Sequence, residues 1–414
     1  MKPLESNAMP PTSVYAEVTV LVPAMEADFQ YQMERLVDVN TWPCFSEEAL
    51  VFCDALSSAL LQNEQTRAKP DIVAFAFWLR KNQLQTMHSE FVDSGGQREA
   101  LGLVFQIAPG NVDTVFIYSA ILSFLLGNVT LVRVSSRMGA SAARIIKILN
   151  ELLALQEYAP CAERFCVVQY PSNDRITQML SNRCQLRVIW GGDSTIAAIQ
   201  SLPLEHPLVD VVFPDRYSAA LIRTEAVTED AVSSLIAQFC QDVLPYGQQA
   251  CSSPRTIYWL GNDADTARAR QLFWHELRFA TKHVLPSFTD EEIYARELFR
   301  QRVALELGMA CEITSDGSAL TVMTDAAIET LEEIHCGLNT FLETRLDSVA
   351  ELGARLGDKF QTLTIVGLDQ AALEKALTPD QYQLIKRVVP PGQALSFSHR
   401  WDGVNLLAAF SHDC

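Results

Sequence analysis

Residues 101–136 read LGLVFQIAPGNVDTVFIYSAILSFLLGNVTLVRVSS, and the order of chemistry in that stretch decides the fold. Residues 101–107 are a short apolar run of strand length, and Pro109-Gly110-Asn111 breaks it. Residues 114–126 are apolar on every side, which predicts a buried helix. Residues 129–134 predict a second strand. The unit then repeats as helix 140–155, strand 165–170, a helix near 174–181, strand 186–190, helix 194–201 and strand 209–213. Strands alternating with helices at this rhythm imply a parallel, doubly wound α/β sheet, with ligands expected at the carboxyl ends of its strands.

Upstream of this region, residues 26–94 carry apolar side chains at three- and four-residue spacing and read as mostly helical, with the pattern changing at Gly95-Gly96. Ser6-Asn7-Ala8 before Met9 reads as a protease-cleavage scar, which sets residues 1–8 apart. Downstream, a second α/β region is expected from about Thr224, with helices at 228–243, 263–280 and 290–308 and strands at 255–260, 319–323 and 360–366. From Pro390 the composition is loop-like around Trp401-Asp402-Gly403. The expected organisation is therefore a helical region with a nucleotide-binding α/β domain over 9–223, a second α/β domain over 224–390, and a segment 391–414 packing back on the core.

Composition narrows the function classes. A chain of 414 residues is too long for one ordinary core. Its 49% hydrophobic and 20% charged residues are normal for a globular enzyme. A net charge of −18 excludes a phosphate-tracking nucleic-acid surface and offers nothing to an anionic membrane. The longest apolar run, 114–127, is shorter than the roughly 20 residues a membrane span needs. Ten cysteines occur with no CxxC pair, so neither a disulfide framework nor a structural metal is expected, and reduced thiols in the cytoplasm are.

Five places can carry chemistry. Asn111 follows a strand end, where its amide could donate to an oxyanion or simply cap the following helix. Arg133, with Ser135 and Ser136 after it, suits a ribose phosphate at a strand end, and an exposed basic loop is the plain alternative. Gly191 and Gly192 open a helix and could admit a nucleotide, or form a tight turn capped by Asp193. Cys251 lies in GQQACSSPR, residues 247–255, a polar turn-rich loop unlike the apolar surroundings expected of the other nine cysteines. Of seven histidines none has metal-ligand spacing, and His399 beside the Trp401-Asp402-Gly403 turn is kept as an acid/base candidate.

Taken in order, PGN at 109–111, VTLVRVSS at 129–136, WGGD at 190–193, QQACSSPR at 248–255 and WDG at 401–403 resemble the long-chain acyl-CoA reductase family. That family is the reductase component of bacterial luminescence fatty-acid reductases, a branch of the aldehyde-dehydrogenase superfamily. The resemblance runs from about residue 95 to the C-terminus. It implies an aldehyde-dehydrogenase-like fold of two doubly wound α/β domains with a helical N-terminal region. It implies an acyl-CoA or acyl-carrier thioester as substrate, NADPH as cofactor, and release of an aldehyde. It also implies an acyl-protein synthetase or acyltransferase partner and a homodimer built on the second domain. Position by position, Cys251 falls at the nucleophile, Asn111 at the oxyanion-binding Asn and Arg133 at a cofactor-binding lysine. Gly191 and Gly192 fall in the turn near the nicotinamide nucleotide, and Gln249 at the Gln two residues before the nucleophile. Asp113 and Thr114 replace an expected second proline. Val212 falls where a hydrolytic member has its general-base Glu, with Asp215 and Arg216 in the turn after it. A valine takes no proton, so the resemblance points to thioester reduction. The competing readings are a hydrolytic aldehyde dehydrogenase and a catalytically silent acyl-transfer scaffold.

Overall fold

The computed structural model describes residues 14–24, 29–93, 98–282, 288–316, 319–325, 331–332 and 334–413. The expected cleavage scar at 1–8 and the pattern change at Gly95-Gly96 lie outside the described residues. The chain divides into two compact units, residues 1–214 with 399–414, and residues 215–398.

The first unit is built on a six-stranded sheet. Its strands are β1 (Thr19–Val22), β3 (Leu103–Ile107), β4 (Val129–Val134), β5 (Phe165–Gln169), β6 (Leu186–Trp190) and β7 (Val209–Phe213). The order across the sheet is β1-β5-β4-β3-β6-β7, parallel throughout except for β1. Chain order thus runs outward from β3 on one side through β4 and β5, and on the other through β6 and β7. The reversal lies between β3 and β6, and in an open parallel sheet the crevice at such a point receives the ligand. All five residues of β3 and all five of β6 are buried, because crossover helices cover both faces of a parallel sheet. The helix Val115–Leu125 is buried at every position, which is what its all-round apolarity required. Gly127 ends that helix at φ +80°, and a Cβ there would sit 2.0 Å from the Trp42 carbonyl oxygen. Only glycine permits both the left-handed cap and that approach.

The N-terminal region is helical as expected, with helices at Glu47–Gln62, Pro70–Trp78 and Lys81–Asp93. The C-terminal segment is less loop-like than its composition suggests. Arg400–Trp401 pairs with Val404–Asn405, and β17 (Ser411–Asp413) pairs antiparallel with β2 (Arg98–Ala100). Asn128, fully buried, donates to the Phe410 carbonyl at 2.8 Å and accepts from the Leu101 N–H at 2.7 Å. One carboxamide thus ties the end of the chain to the start of β3.

The second unit carries a seven-stranded sheet of β8 (Tyr217–Arg223), β9 (Pro254–Leu260), β10 (Cys311–Asp316), β11 (Ala319–Thr324), β12 (Thr340–Leu346), β13 (Phe360–Val366) and β14 (Arg387–Val389). Its order is β10-β11-β12-β9-β8-β13-β14, with only β10 antiparallel to its neighbour. The unit begins earlier than the composition change at Thr224 suggests, because β8 pairs with β9 and β13 in this sheet. Strand β12, next to the central strand, also escapes the sequence reading. Glu343 interrupts its apolar run, yet is fully buried. The carboxylate accepts from Trp259 Nε1 at 2.8 Å, Trp274 Nε1 at 3.0 Å, and Arg270 Nε and Nη2 at 2.9 and 2.8 Å. Four donors offset the cost of desolvating the charge, and they lock the helix Asp263–Thr281 to the sheet.

In the first unit the matching device joins adjacent strands. Arg187 and Asp210 form a bidentate pair at 2.8 and 2.9 Å, with the Arg187 side chain only 1% exposed. Asp210→Ala leaves that guanidinium buried without its carboxylate, and is expected to cost on the order of 3 kcal/mol. Urea unfolding followed by a first-unit probe such as Trp190 fluorescence checks this. A midpoint equal to that of the parent chain would remove the pair from the account of what holds β6 to β7.

Candidate active site

In the first unit the sequence-predicted residues gather at the carboxyl edge of the sheet. Pro109-Gly110-Asn111 follows β3, Arg133 lies in the last turn of β4 with Ser135 and Ser136 just beyond, and Gly191-Gly192 follows β6. A Cβ on Gly110 would stand 3.0 Å from the Ser135 hydroxyl, so the loops after β3 and β4 touch. Asn111 is exposed and is not a helix cap, since the N-cap of the following helix is Thr114. Gly192, not Asp193, is the N-cap of the helix Asp193–Gln200. A Cβ on Gly192 would meet nothing within 4 Å, so this glycine borders open space.

Arg133 rests its guanidinium 5.0 Å from the centre of the Tyr170 ring and donates to the Tyr170 carbonyl at 3.3 Å. Its Nε is buried without an acceptor among the described residues. Asp113, which stands where a proline was expected, has a definite task. Its carboxylate accepts the backbone N–H groups of Gly139, Ser141 and Ala142 at 2.7, 3.0 and 3.3 Å. It therefore closes the N-terminus of the helix Ala140–Leu153 and anchors the PGN turn to the next crossover. A proline has no side-chain acceptor and could not do this.

Near the other end of the WGGD turn, Trp190 stacks on Phe213 with ring centres 3.9 Å apart, and meets Trp401 edge-on at 5.7 Å. Trp401 of the WDG motif is thereby a wall beside the glycine turn, a role its loop-like composition did not reveal. His399 lies 3.6 Å from a Glu90 oxygen. Burial pushes its pKa down, more than Glu90 raises it.

The second unit places Cys251 at the opposite kind of edge, three residues before β9 begins and so at the amino end of the central strand. The cysteine is half-buried. Partial exposure alone does not single it out, because Cys44, Cys240, Cys311 and Cys336 are also half-buried, contrary to the expectation that the other nine are core residues. Their surroundings separate them. Burial pushes the thiols of Cys161, Cys166 and Cys184 up to about 12 and Cys240 to about 11. Cys311 and Cys336 are raised for the same reason, and the Cys44 thiol donates to two carbonyls. None of these is poised as a thiolate.

What the loop around Cys251 has instead is fixed backbone. The Ser218 hydroxyl, at the start of β8, donates to the Cys251 carbonyl at 2.6 Å. The Ser218 hydroxyl oxygen in turn accepts the Thr362 N–H at 3.0 Å, near the start of β13. The Ser252 hydroxyl donates to the Gln361 side-chain Oε1 at 3.3 Å, and the Ser253 N–H closes a turn onto the Ala250 carbonyl. Gln249 is half-buried beside this turn. The Cys251 carbonyl is thus tied through Ser218 to two strands, while its side chain belongs to a loop. Ser218 escaped the sequence reading because a serine at a strand start carries no pattern of its own.

Among the described residues no helix is long and apolar enough to cross a membrane.

A family model described as acyl-CoA reductase (LuxC) matches residues 77–412. Two curated relatives are long-chain acyl-protein thioester reductases. That of Aliivibrio fischeri is 24% identical over 166 residues, 39% of this chain and 33% of the relative. That of Photobacterium phosphoreum is 27% identical over 168 residues, 40% of this chain and 32% of the relative. The matches span about a third of those proteins. Among solved structures, an aldehyde dehydrogenase from Bartonella henselae superposes with a TM-score of 0.65 at 12% identity, covering 95% of this chain and 94% of that one. The fold is that of the aldehyde dehydrogenases.

The pinned carbonyl gives a direct test. Ser218→Ala leaves the Thr362 N–H and the Cys251 C=O without their shared partner, a loss of roughly 1–3 kcal/mol. Amide exchange at Thr362 is expected to accelerate while the remainder of β13 stays protected. Unchanged protection at Thr362 would mean that the hydroxyl does not hold this edge.

Proposed function

The chain belongs to the acyl-CoA reductase (LuxC) family, and we propose from that premise that it reduces a long-chain acyl thioester to the aldehyde through Cys251, with NADPH as reductant. The observation that carries this reading is the position of Cys251, a half-buried thiol on a loop whose backbone is fixed on both sides. The other described cysteines either have thiols raised by burial or, at Cys44, a thiol that donates to carbonyls.

The Cys251 sulfur attacks the thioester carbonyl carbon, and the departing thiolate leaves with its electron pair and takes up a proton. The product is an acyl group on Cys251, which splits one hard step into two easier ones. Asn111, exposed at the end of β3, is assigned the amide donor to the oxyanion that the resemblance implies. When bound, the nicotinamide supplies the hydride for the acyl carbon. Cys251 holds the reduced carbon until the C–S bond breaks, the aldehyde departs and the thiolate is restored. Val212, half-buried in β7, offers no proton acceptor at the position where hydrolytic relatives of the superfamily carry one. This favours transfer to hydride over transfer to water.

The first unit's carboxyl edge fits a dinucleotide. Gly192 leaves room for a phosphate at the start of an eight-residue helix. Arg133 offers a buried Nε without an acceptor, suited to a ribose phosphate, and Ser135 and Ser136 stand just beyond it. Asp113, two residues after Asn111, is engaged by three backbone N–H groups and so is not available to claim a ribose hydroxyl. That combination supports NADPH over NADH. An acyl-CoA or acyl-carrier thioester is the proposed donor, and a homodimer with an acyl-protein synthetase partner is the proposed assembly.

Two experiments test the reading. Exposing the chain to a panel of acyl-CoAs and weighing the intact protein should give a single acyl adduct, absent in Cys251→Ala. An adduct that survives the alanine substitution would move the nucleophile elsewhere. Fluorescence titration should give tighter binding of NADPH than NADH, with Arg133→Ala weakening NADPH by about tenfold, as expected for loss of one charge-assisted hydrogen bond. Equal affinities for the two cofactors would refute the assignment of Arg133.

A further inference from the structure

The loop that carries Cys251 is entered through an unusual backbone. Tyr246, Gly247 and Gln248 are all left-handed, at φ +56°, +58° and +62°. A second left-handed run, Gly337, Leu338 and Asn339 at +66°, +56° and +57°, leads into β12. Of the six non-glycine residues with positive φ among those described, four lie in these two turns. Each is disfavoured for an L-residue, so something must hold the two turns against relaxation.

They hold each other. The Leu338 N–H donates to the Gly247 carbonyl at 2.6 Å. A Cβ on Gly337 would stand 2.7 Å from that same carbonyl oxygen and 3.0 Å from Gln249 Cγ. The position therefore has to be glycine on two counts, its conformation and its closeness to the other turn. The Gln248 side chain completes the lock. It is fully buried, its Nε2 donates to the Pro254 carbonyl at 2.8 Å, and its Oε1 accepts the Thr340 N–H at 2.9 Å. Pro254 starts β9 and Thr340 starts β12. One carboxamide therefore spans the loop from residue 248 to residue 254, with Cys251 midway between them, and ties it to the neighbouring strand.

We propose that Gln248 is a positioning residue for the nucleophile: its carboxamide sets the backbone of the 248–254 loop and so the place from which Cys251 attacks the acyl thioester. The proposal rests on the reading of Cys251 as the acylated thiol. Gln248 is fully buried, and both bonds of its side chain go to backbone groups. It acts by fixing the carbonyl at one end of the loop and the N–H of the adjoining strand. Both bonds require a side chain that donates and accepts at once, which an amide does and a carboxylate does not.

That requirement supplies the test. A protonated glutamic acid has the donor and acceptor of glutamine in nearly the same shape, and burial raises its pKa. Gln248→Glu, Gln248→Met and the full parent chain are acylated with palmitoyl-CoA near pH 8 and near pH 6, and the rate of adduct growth at Cys251 is read by intact mass. Thermal midpoints are recorded on the same samples. Relative to the parent at each pH, Gln248→Glu is expected to be slower by about tenfold or more near pH 8, the scale of a small misplacement of a reacting group. It is expected to recover toward the parent rate near pH 6, whereas Gln248→Met stays slow at both. A merely structural role would move the midpoints without this pH-dependent rescue of the rate. Folded variants that acylate at the parent rate at both pH values would overturn the proposal. If the Gln248 variants do not fold, Gly337→Ala, which presses on the same loop from the opposing turn, carries the same comparison and should be slow at both pH values. If the parent itself gains no acyl group on Cys251, the nucleophile reading fails by itself. The rate of Cys251 alkylation by iodoacetamide in the same set of variants then decides the positioning role.

Discussion

A parallel sheet covered by helices on both faces has no polar face to offer, and this constraint organises everything else in the molecule. Polar chemistry is confined to the strand ends, where backbone groups run out of ladder partners. The first unit uses the carboxyl ends of β3, β4 and β6, as open α/β sheets generally do. The second unit instead uses the amino ends of β8, β9, β12 and β13, where the groups left over are strand-initial N–H donors and loop carbonyls. Ser218 and Gln248 are matched to that inventory, since a hydroxyl and a carboxamide can each accept one N–H and donate to one carbonyl. The loop holding Cys251 is fixed by side chains that satisfy the ends of strands.

Three carboxylates in or beside the core are met by donors in the same way. Glu343 is surrounded by two indole and two guanidinium donors. Asp113 accepts three backbone N–H groups at a helix start. Asp242, fully buried at the end of a helix, accepts the N–H groups of Gly392 and Ala394 at 2.7 and 2.8 Å and pins the segment after β14. Burial outweighs those two donors and the neighbouring Arg387, so the Asp242 carboxyl is pushed up to about 6. Because this folded-state value lies above that of an unfolded aspartate, the group favours the folded chain most below about pH 4. That contribution is lost as the pH rises toward 6.

A fold shared with aldehyde dehydrogenases does not by itself say which reaction is run. The direction of chemistry is a property of single positions. In the proposed reading, a valine at 212 removes one proton acceptor and a thiol at 251 supplies the nucleophile. An arginine at 133 brings a permanent charge to a strand end. None of these changes would disturb the layers of helices and sheet that carry them, which is why one architecture accommodates oxidation of aldehydes and reduction of thioesters.

The alternation of short apolar runs with helical spacing over residues 101–213 determined the doubly wound first sheet, because strands β3 to β6 are almost wholly buried and read as mainly hydrophobic sequence. The polar loop GQQACSSPR likewise marked Cys251, since a cysteine in such company lacks a packing reason to be there. Tertiary structure decided the rest. Strand β12 was hidden by Glu343, whose four donors come from residues 259, 270 and 274 and cannot be anticipated from residue 343 alone. The boundary of the second unit moved ahead of Thr224, because β8 is defined by its ladder to β9 and β13 rather than by composition. Ser218 and Asp113 gained their roles from partners 26 to 144 residues away, and Gln248 from Thr340, 92 residues away, as well as from nearby Pro254, and a side chain's hydrogen bonds across such distances are fixed only when the sheet brings its strand ends together.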